Sequence, residues 1–354
     1  MESLKFDLHT IKAATHNFSR DNKLGEGGFG EVYKGKLEAG QEVAVKRLSK
    51  SSGQGVQEFK TEVLLIAKLQ HKNLVKLLGF CFTSQEKILV YEYLQNSSLD
   101  KFLLDSRKKL SFDWQMRFKV IVGIARGLMY LHEDSRLKII HRDLKPSNIL
   151  LDDAMVPKIS DFGLAKLFEV EETEGDTKRI VGTYGYMAPE YVMTGHFSTK
   201  SDIYSFGIIV LEIVSGQKNR LSGRPQLEET LLHRAWRLWD ETNPLNLVDS
   251  TLDDKYPTED VRKCIHVGLL CIQENATERP RMTTIVAALN GQSISLPMPR
   301  APNFFGSNGV NAEMASVHYR LPIGGEIEYR QILNRHGSPC IYSGTNNITD
   351  LCPR

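Results

Sequence analysis

The sequence is poor in several features that mark particular classes of protein. Its five cysteines form no Cys-x-x-Cys pair and fit no zinc spacing, so we expect reduced thiols rather than disulfides or a zinc site. A formal net charge of only +2 points to neither a nucleic acid nor an anionic membrane as partner. The longest apolar stretch, residues 203–214, is interrupted by Ser205 and Glu212, and the first residues show neither a signal run nor a myristoylation glycine. We therefore expect a chain without a transmembrane segment, located in the cytoplasm as encoded.

The first motif along the chain is a glycine-rich stretch at residues 24–32. Its glycines let the backbone turn tightly and bring amide groups close to phosphate oxygens. The Gly-x-Gly-x-x-Gly pattern also marks dinucleotide-binding folds, but a helix should follow it there, whereas residues 32–37 and 42–48 both have strand patterns. We predict that this stretch binds nucleotide phosphates through Leu24, Gly25, Glu26, Gly27, Gly28, Phe29, Gly30 and Val32.

The second of these strands carries Lys46, and a helix with an apolar face follows over residues 55–69. A lone strand lysine is ordinarily a solvated surface residue. Glu62, however, falls within the apolar stripe of the helix, where a carboxylate needs a cation. We therefore predict that Glu62 pairs with Lys46, which would hold the α- and β-phosphates, and we favour Glu62 over Glu58 because Glu58 leans off the stripe.

Two further motifs have the spacing that phosphoryl transfer requires: residues 141–148, His-Arg-Asp-Leu-Lys-Pro-Ser-Asn, and residues 161–163, Asp-Phe-Gly. Asp143 is the candidate base for a substrate hydroxyl, with Lys145 beside it. Asn148 and Asp161 offer the oxygen ligands that Mg²⁺ or Mn²⁺ prefers. The order of these motifs, completed by Ala-Pro-Glu at residues 188–190, is far more specific than any one of them.

Between the motifs, residues 88–94 form an apolar strand that runs into a connector. We interpret this as a hinge that packs on adenine, with Glu92 and Leu94 acting through main-chain atoms and Tyr91 closing the pocket, which Ala44 would also line. An ordinary buried strand remains an alternative for these residues.

The second half of the chain is predicted to be mainly helical. Helical patterns cover residues 114–132, 201–214, 230–241, 259–274 and 282–289. Asp202, at the head of a buried helix, is predicted to brace the catalytic loop through backbone amides, and Arg279 is predicted to pair with Glu190. Residues 164–187 lack apolar periodicity and are expected to be mobile. Residues 296–302 are proline-rich and indicate a linker, and a weakly ordered tail is expected from residue 306 onward.

Taken together, these motifs resemble the eukaryotic protein kinases. Segments 13–19, 73–79 and 182–191 are similar to the cytoplasmic part of the plant cysteine-rich receptor-like kinases, with S-locus-type kinases second. The resemblance implies an α+β, two-lobed fold, with a small antiparallel-sheet lobe carrying one helix and a larger, mainly helical lobe. It places a lead-in at 1–20, the kinase domain at 21–293 (small lobe 21–91, hinge 92–97, large lobe 98–293) and a linker and tail at 294–354.

The resemblance also implies an activity. Lys145 and the Gly182-Thr183 pair resemble the serine/threonine pattern, so ATP-dependent transfer to Ser and Thr hydroxyls of proteins is expected. The alternative is a kinase-like scaffold that binds nucleotide with little catalysis; scaffolds of this kind usually lose one of the five central residues, which are all present: Lys46, Glu62, Asp143, Asn148 and Asp161. Family members usually carry a secreted ectodomain and a membrane-spanning helix, and neither occurs in this sequence. Association with the plasma membrane is expected only if the chain is part of a receptor kinase or is recruited by a receptor or co-receptor.

Regulation by phosphorylation within residues 164–181 is a further hypothesis. Arg142 precedes the catalytic aspartate and would be an unpaired cation unless an anion arrives, and Lys166 lies where it could add a second cation. Thr177 is the first candidate acceptor, and Thr173, which lies among glutamates, is the second. Thr183 is expected instead to contact Asp143 and Lys145 in the substrate groove. The alternative is that these threonines are simply exposed loop residues.

Overall fold

The computed structural model describes residues 4–27, 30–49, 53–66, 68–168, 174–219 and 229–302, with three short strands between residues 329 and 340. Its helices are α1 (Leu8–Ala14), α2 (Gly53–Ile66), α3 (Leu99–Leu104), α4 (Ser106–Ser111), α5 (Trp114–Met129), α6 (Pro189–Thr194), α7 (Thr199–Ser215), α8 (Leu231–Asp240), α9 (Thr258–Cys271) and α10 (Met282–Leu289). Its strands are β1 (Lys23–Gly27), β2 (Gly30–Lys36), β3 (Glu42–Leu48), β4 (Leu77–Phe82), β5 (Lys87–Glu92), β6 (Lys138–Ile140), β7 (Ile149–Leu151), β8 (Pro157–Ile159), β9 (Lys166–Phe168), β10 (Glu174–Asp176), β11 (Arg179–Ile180), β12 (His196–Ser198), β13 (Tyr329–Arg330), β14 (Ile332–Leu333) and β15 (Pro339–Cys340).

The small lobe is an antiparallel sheet with strand order β1-β2-β3-β5-β4, together with helix α2. Along β3 the side chains alternate between its two faces. Val43 and Val45 are fully buried in an apolar cluster on one face, and Ala44 and Lys46 point to the other face, toward the cleft. This alternation aims the lysine at the site, and the predicted sheet lobe with one helix is confirmed.

The amino-terminal lead-in packs on the outer face of this sheet. Ile11 of α1 is 1 % exposed and belongs to the same apolar cluster as Val43 and Val45. The backbone amide of Phe6 donates to the carbonyl of Phe80 at 2.8 Å, so the lead-in also extends the sheet at edge strand β4. The sequence boundary at residue 20 therefore separates two segments that share one core.

The large lobe is built around α5, α7 and α9. Helix α7 begins at a capping box on Ser198 and ends at Gly216, whose φ of 61° is the left-handed conformation that glycine adopts readily. Gly207 of α7 and Gly268 of α9 let the two helices approach closely, because a Cβ on Gly207 would lie 2.9 Å from the carbonyl oxygen of Gly268. The helix predicted over residues 201–214 is observed as α7, which is longer by two residues at its start and one at its end, and the predicted helix at 282–289 is confirmed.

Two connections join the lobes and form the cleft between them. The first is the hinge that follows β5. The second is the segment before β4, where Val75 and Ile159 share a backbone hydrogen bond of 2.9 Å and Asn73 Nδ2 donates to the carbonyl of Pro157 at 2.9 Å. Since β8 leads directly to Asp161, this second connection fixes the aspartate relative to the small lobe.

Residues 164–187 were expected to be mobile, and within their described part the structure contains short strands. Strand β9 pairs with β6, and β10 pairs with β12. Each strand has only three residues, which is too short for a period of two to be recognised in the sequence. Of the predicted tail, only β13, β14 and β15 lie within the described residues, and β13 pairs with β11.

Candidate active site

A lysine shared by two carboxylates lies at the centre of the cleft. Lys46 Nζ lies 3.2 Å from Glu62 Oε2 and 2.7 Å from Asp161 Oδ1. The predicted Lys46–Glu62 pair is confirmed, and the structure adds Asp161, which the sequence indicated only as a metal ligand. Glu58, the less favoured candidate, is buried with its Cβ close to Gly163. Because Glu62 belongs to the small lobe and Asp161 to the large lobe, the lysine also holds the lobes together.

The surroundings decide which of these groups carry charge. Burial alone would lower the pKa of Lys46, but Asp161 and Glu62 outweigh burial and raise it, so Lys46 is a cation. Burial would raise the pKa of Asp161, yet Lys46 holds it below its ordinary value. At Glu62 burial outweighs Lys46 and raises the pKa, while the Tyr91 hydroxyl donates to the other Glu62 oxygen. Lys46 therefore stabilises the charged form of Asp161, the nearer carboxylate, more strongly than that of Glu62.

Three side chains surround the carboxylate of Asp143. Thr183 Oγ1 donates to Oδ1 at 2.6 Å, and Lys145 Nζ and Asn148 Nδ2 lie 2.9 and 3.1 Å from Oδ2. Lys145 also donates to Thr183 Oγ1 at 2.7 Å, so the predicted contact of Thr183 with both residues is confirmed. These bonds hold the carboxylate in one orientation, as a group that directs a substrate hydroxyl requires.

Asn148 and Asp161 have the donor atoms that a divalent cation needs. The Asn148 amide nitrogen donates to the Asp143 carbonyl at 2.8 Å, which leaves the amide oxygen as the atom able to bind a metal. Asp161 uses Oδ1 for Lys46 and has its second oxygen to offer; its backbone, at φ 65°, is in the left-handed region. An amide oxygen and a carboxylate oxygen match the preference of Mg²⁺ and Mn²⁺ for hard ligands, so the residues present fit such an ion.

As predicted, Asp202 bonds backbone amides of the catalytic loop, residues 141–148. Its carboxylate accepts the backbone amides of His141 at 2.7 Å and Arg142 at 2.9 Å, and His132 Nε2 lies 2.9 Å away. Arg142 has φ of 69°, a conformation that costs a non-glycine residue of order 1 kcal/mol and persists only when the surroundings impose it. Asp202 supplies that constraint, one residue before Asp143.

The cleft in front of Lys46 has a volume of about 490 Å³, within the range of small-molecule sites. Its lining includes eleven of the predicted nucleotide contacts: Leu24, Gly25, Glu26, Gly27, Val32, Ala44, Lys46, Tyr91, Glu92, Leu94 and Asn148. Gly30 is not part of the lining; at φ 137° it passes so close to β3 that a Cβ would lie 2.1 Å from the Arg47 carbonyl oxygen. Gly28 and Phe29 lie outside the described residues.

At the hinge, the side chain of Glu92 is committed to structure. It accepts the backbone amide of Lys76 at 2.8 Å and pairs with Lys158 Nζ at 3.0 Å. The side chain of Leu94 is buried. Any contact of Glu92 with a nucleotide base would therefore be made by its main chain, which is the role predicted for it.

Arg142 is held by aromatic rings. Its guanidinium lies 4.6 Å from the ring centroid of Phe197 and 5.5 Å from that of Tyr191, and Nη2 donates to the Tyr191 hydroxyl at 2.7 Å. Its Nε is buried without a hydrogen-bond partner in the part of the chain that the structure describes. The predicted unpaired cation is thus compensated in part by ring faces and a hydroxyl. No local pattern in the sequence indicated that Tyr191 and Phe197 would contact Arg142.

The other residues predicted to regulate the site lie apart from this guanidinium. Thr177 is half-buried, and its hydroxyl donates to the Arg179 carbonyl at 3.0 Å. Lys166 stands opposite Ile140 in the β6–β9 pair with an exposed side chain. Neither is hydrogen-bonded to Arg142 within the described ranges, and Thr173 lies outside them.

Two carboxylates, the half-buried Glu190 and the fully buried Glu212, anchor residues 186–190. Arg279, 0 % exposed at its side chain, binds Glu190 through Nη1 at 2.7 Å and Nη2 at 2.8 Å, so the predicted pair is confirmed. The second carboxylate, Glu212, accepts the Tyr186 hydroxyl at 2.9 Å and the Asn219 amide at 2.5 Å. The sequence showed Glu212 only as an interruption of an apolar helix; a buried carboxylate there should have indicated a partner.

Comparison with known proteins supports the interpretation of this cleft as a phosphoryl-transfer site. The family profile described as protein tyrosine and serine/threonine kinase matches residues 18–289. Among similar proteins of Arabidopsis thaliana, cysteine-rich receptor-like protein kinase 11 is 59 % identical over 309 residues, covering 86 % of this chain and 46 % of the relative. Cysteine-rich receptor-like protein kinase 5 is 58 % identical over 306 residues, with 86 % and 46 % covered. The chain thus spans about half the length of the relatives it matches. Within the described ranges, no helix is both long and apolar enough to cross a bilayer.

Proposed function

The chain belongs to the protein tyrosine and serine/threonine kinase family, and we propose that it is an active, ATP-dependent serine/threonine kinase of the receptor-like type. Members of this family use a nucleotide and a divalent metal in general; the choice of ATP with Mg²⁺ or Mn²⁺ is part of the proposal. The observation that carries it is the position of Lys46, bonded at once to Glu62 and Asp161. This geometry brings a cation from the small lobe to Asp161 of the large lobe, the proposed metal ligand, which supports a site for phosphoryl transfer.

Each central residue then has a defined task. Lys46 would exchange Asp161 for the α- and β-phosphates of the nucleotide and keep Glu62 as its anchor. Asp143 would orient the acceptor hydroxyl and accept its proton at the oxygen now bonded by Thr183. Lys145, 2.9 Å from Asp143 Oδ2, would meet the negative charge on the transferred group. A divalent ion on Asn148 and Asp161 would supply charge neutralisation and hold the terminal phosphates in place.

Specificity for aliphatic hydroxyls follows from the family pattern and from Thr183. Lys145 and Thr183 form a closed ring of contacts with Asp143, the pairing typical of serine/threonine kinases rather than tyrosine kinases. We accordingly propose Ser and Thr residues of proteins as acceptors, including residues of the chain itself.

The cellular setting is proposed from the relatives. Their names describe receptor-like protein kinases, so we propose that this chain acts at the plasma membrane, either as part of a receptor kinase or recruited by a receptor or co-receptor. No nucleic acid is expected as a partner.

We also propose that phosphorylation between residues 164 and 181 raises activity. An added phosphate carries roughly −1.5 to −2 charge, and the Arg142 guanidinium has a buried Nε still without a partner among the described residues. Thr177 is the first candidate and Thr173 the second. Kinase activity of wild type, Thr177→Ala, Thr173→Ala and the double variant, each with and without phosphatase, tests this. A double variant equal to wild type, together with no effect of phosphatase, would refute the switch.

The alternative function is a scaffold that binds nucleotide with little catalysis. It is tested by incubating the purified chain with ATP and Mg²⁺ and mapping phosphosites by mass spectrometry. Transfer that Asp161→Asn abolishes and Asp240→Asn, a change at an exposed residue of α8, leaves intact would support the kinase. Nucleotide binding without any transfer by wild type to itself or to protein substrates would support the scaffold.

A further inference from the structure

The amino-terminal lead-in ends in a turn with three consecutive positive φ angles. His16, Asn17 and Phe18 have φ of 50°, 57° and 57°, a conformation that is uncommon outside glycine and persists only where the surroundings impose it. Thr15, which is 0 % exposed, supplies part of that constraint. Its hydroxyl donates to the Ile11 carbonyl at 2.8 Å and accepts the Phe18 amide at 3.2 Å. The turn therefore fixes the direction in which the Phe18 side chain leaves the backbone.

The ring of Phe18 contacts side chains of two neighbouring strands. Its centroid lies 5.5 Å from that of Tyr33 of β2, in an edge-to-face arrangement, and 4.6 Å from the guanidinium of Arg47 of β3. Both arrangements are attractive beyond the apolar area that they bury. Arg47 is itself oriented by Glu86, which accepts from Nε at 2.8 Å and from Nη2 at 2.5 Å. Phe18 thus holds β2 and β3 together from the outer face of the sheet.

On β2, these contacts continue to the glycine-rich stretch. The Tyr33 hydroxyl donates to Glu31 Oε2 at 2.8 Å, and Lys23 Nζ lies 2.7 Å from both Glu31 Oε1 and Glu26 Oε2. The hydrogen bonds from Lys23 and Tyr33 hold the pKa of Glu31 below its ordinary value, so this residue is a carboxylate at neutral pH. Because Lys23 and Glu26 belong to β1, the outer-face contacts of β2 also fix the strand that carries the first residues of the glycine-rich stretch.

The opposite faces of the same strands form the nucleotide cleft. Val32, which lies between Glu31 and Tyr33 in the chain, lines this cleft, and so does Lys46, which directly precedes Arg47. Successive side chains of a strand point to opposite faces. A contact that fixes Tyr33 or Arg47 on the outer face therefore also fixes the backbone that carries Val32 and Lys46 on the inner face.

We propose that Phe18 is a positioning residue for nucleotide binding, which holds β1, β2 and β3 over the cleft through Tyr33 and Arg47. The inference rests on the proposed kinase function and adds a residue of the lead-in to its nucleotide site. Phe18 does not itself line the cleft, so it acts through these two side chains. When the ring is absent, the fold persists but the sheet adopts the binding arrangement for a smaller fraction of the time. The apparent dissociation constant then rises by the inverse of that fraction.

The test compares Phe18→Leu with Phe6→Leu. Phe6 is also a half-buried aromatic residue of the lead-in and packs on the same apolar cluster, but it pairs with β4, at the opposite edge of the sheet from β1. The measurements are the Kd of MgADP by calorimetry, the KM for ATP and kcat with casein as acceptor, and Tm.

We expect Phe18→Leu to raise Kd and KM about five- to tenfold, equivalent to about 1.0–1.4 kcal/mol, with kcat within about twofold of wild type. Phe6→Leu should lower Tm by a similar amount and leave Kd and KM unchanged. This contrast separates a role in nucleotide binding from a general contribution of the lead-in to stability.

Two further variants make the result specific to the ring and its contacts. Phe18→Tyr keeps the ring and should retain the wild-type Kd. Tyr33→Phe removes only the hydroxyl that binds Glu31 and should raise Kd about two- to fivefold; it serves if Phe18→Leu fails to fold.

An unchanged Kd for both Phe18→Leu and Tyr33→Phe, or a rise that Phe6→Leu reproduces, overturns the proposal. A chain that binds MgADP with the expected differences but phosphorylates neither itself nor casein refutes the kinase activity and still supports the positioning role, because nucleotide binding requires no transfer.

Discussion

Replacing Asp202 by alanine should loosen the catalytic loop and destabilise the large lobe together. The change leaves the backbone amides of His141 and Arg142 without the acceptor that lies 2.7 and 2.9 Å away, and it leaves His132 without its carboxylate. A hydrogen bond to a charged group contributes about 1.5–3 kcal/mol, and a buried donor left without an acceptor costs about 1–3 kcal/mol. We expect a loss of at least about 3 kcal/mol in the free energy of unfolding, or a Tm lower by about 6–12 °C for a domain of this size.

Activity should fall as well, because Arg142 precedes Asp143 and loses the constraint on its positive φ. We expect kcat to drop at least about tenfold at a temperature where the variant is fully folded, since small misplacement of a reacting group is costly. Urea denaturation followed by fluorescence, with steady-state kinase assays on the same samples, measures both effects. Asp240→Ala, at an exposed carboxylate, is the control.

The pH dependence of stability distinguishes the contribution of the Asp202 charge from that of side-chain packing. Burial would raise the pKa of Asp202, but the hydrogen bond from His132 and the contacts of His141 lower it below its ordinary value of 3.8. A carboxylate with a depressed pKa contributes stability above its unfolded pKa and loses it as the pH falls through the folded value. The difference between wild type and Asp202→Ala should therefore be full at pH 7 and shrink below about pH 4. A variant within about 1 kcal/mol of wild type at pH 7, with kcat unchanged, would refute the brace.

Three further predictions concern other parts of the molecule. Asp143→Asn should lower kcat at least about 10²-fold with the fold intact, and steady-state activity above a third of wild type would contradict the assigned role. Glu212→Gln should remove a pH dependence of the free energy of unfolding. Because burial raises the pKa of Glu212 to about 7, wild type should lose about 3 kcal/mol of stability relative to the variant as the pH rises from about 5 to 8. Equal differences between wild type and variant in the free energy of unfolding at both pH values would argue against it. Ile11→Ala, in the lead-in, should cost about 2–4 kcal/mol because the side chain is 1 % exposed; an unchanged Tm would show that the lead-in does not support the sheet.

The sequence was most informative where a chemical requirement and a local period coincided. Glu62 could be assigned because a carboxylate on an apolar helix face needs a cation, and the pair with Lys46 is confirmed at 3.2 Å. Asp202 and its amides followed from the same reasoning at a helix start. By contrast, nothing local indicates that Asp161, 115 residues further along the chain from Lys46, would be the nearer partner of that lysine.

Two other features could not be predicted from the sequence, for similar reasons. Arg117 is fully buried and pairs with Asp249 at 2.7 Å, yet the two residues lie on separate elements and each resembles a surface charge in its own segment. Such a pair is decided by packing of elements that are remote in sequence, not by local pattern. The lead-in was separated from the domain because its apolar residues are few, and their burial depends on a sheet that forms later in the chain.

The arrangement of charges around Lys46 also bears on how nucleotide and metal binding are linked. In this geometry Lys46 lies closer to Asp161, at 2.7 Å, than to Glu62, at 3.2 Å. Phosphate oxygens that bind Lys46 compete with Asp161 for it, because Lys46 is what holds the pKa of that carboxyl below its ordinary value. An Asp161 released in this way would be a half-buried carboxylate without its cation, which is costly. A divalent ion at the proposed Asp161 and Asn148 site would remove that cost, so nucleotide and metal should each strengthen the binding of the other by the same factor.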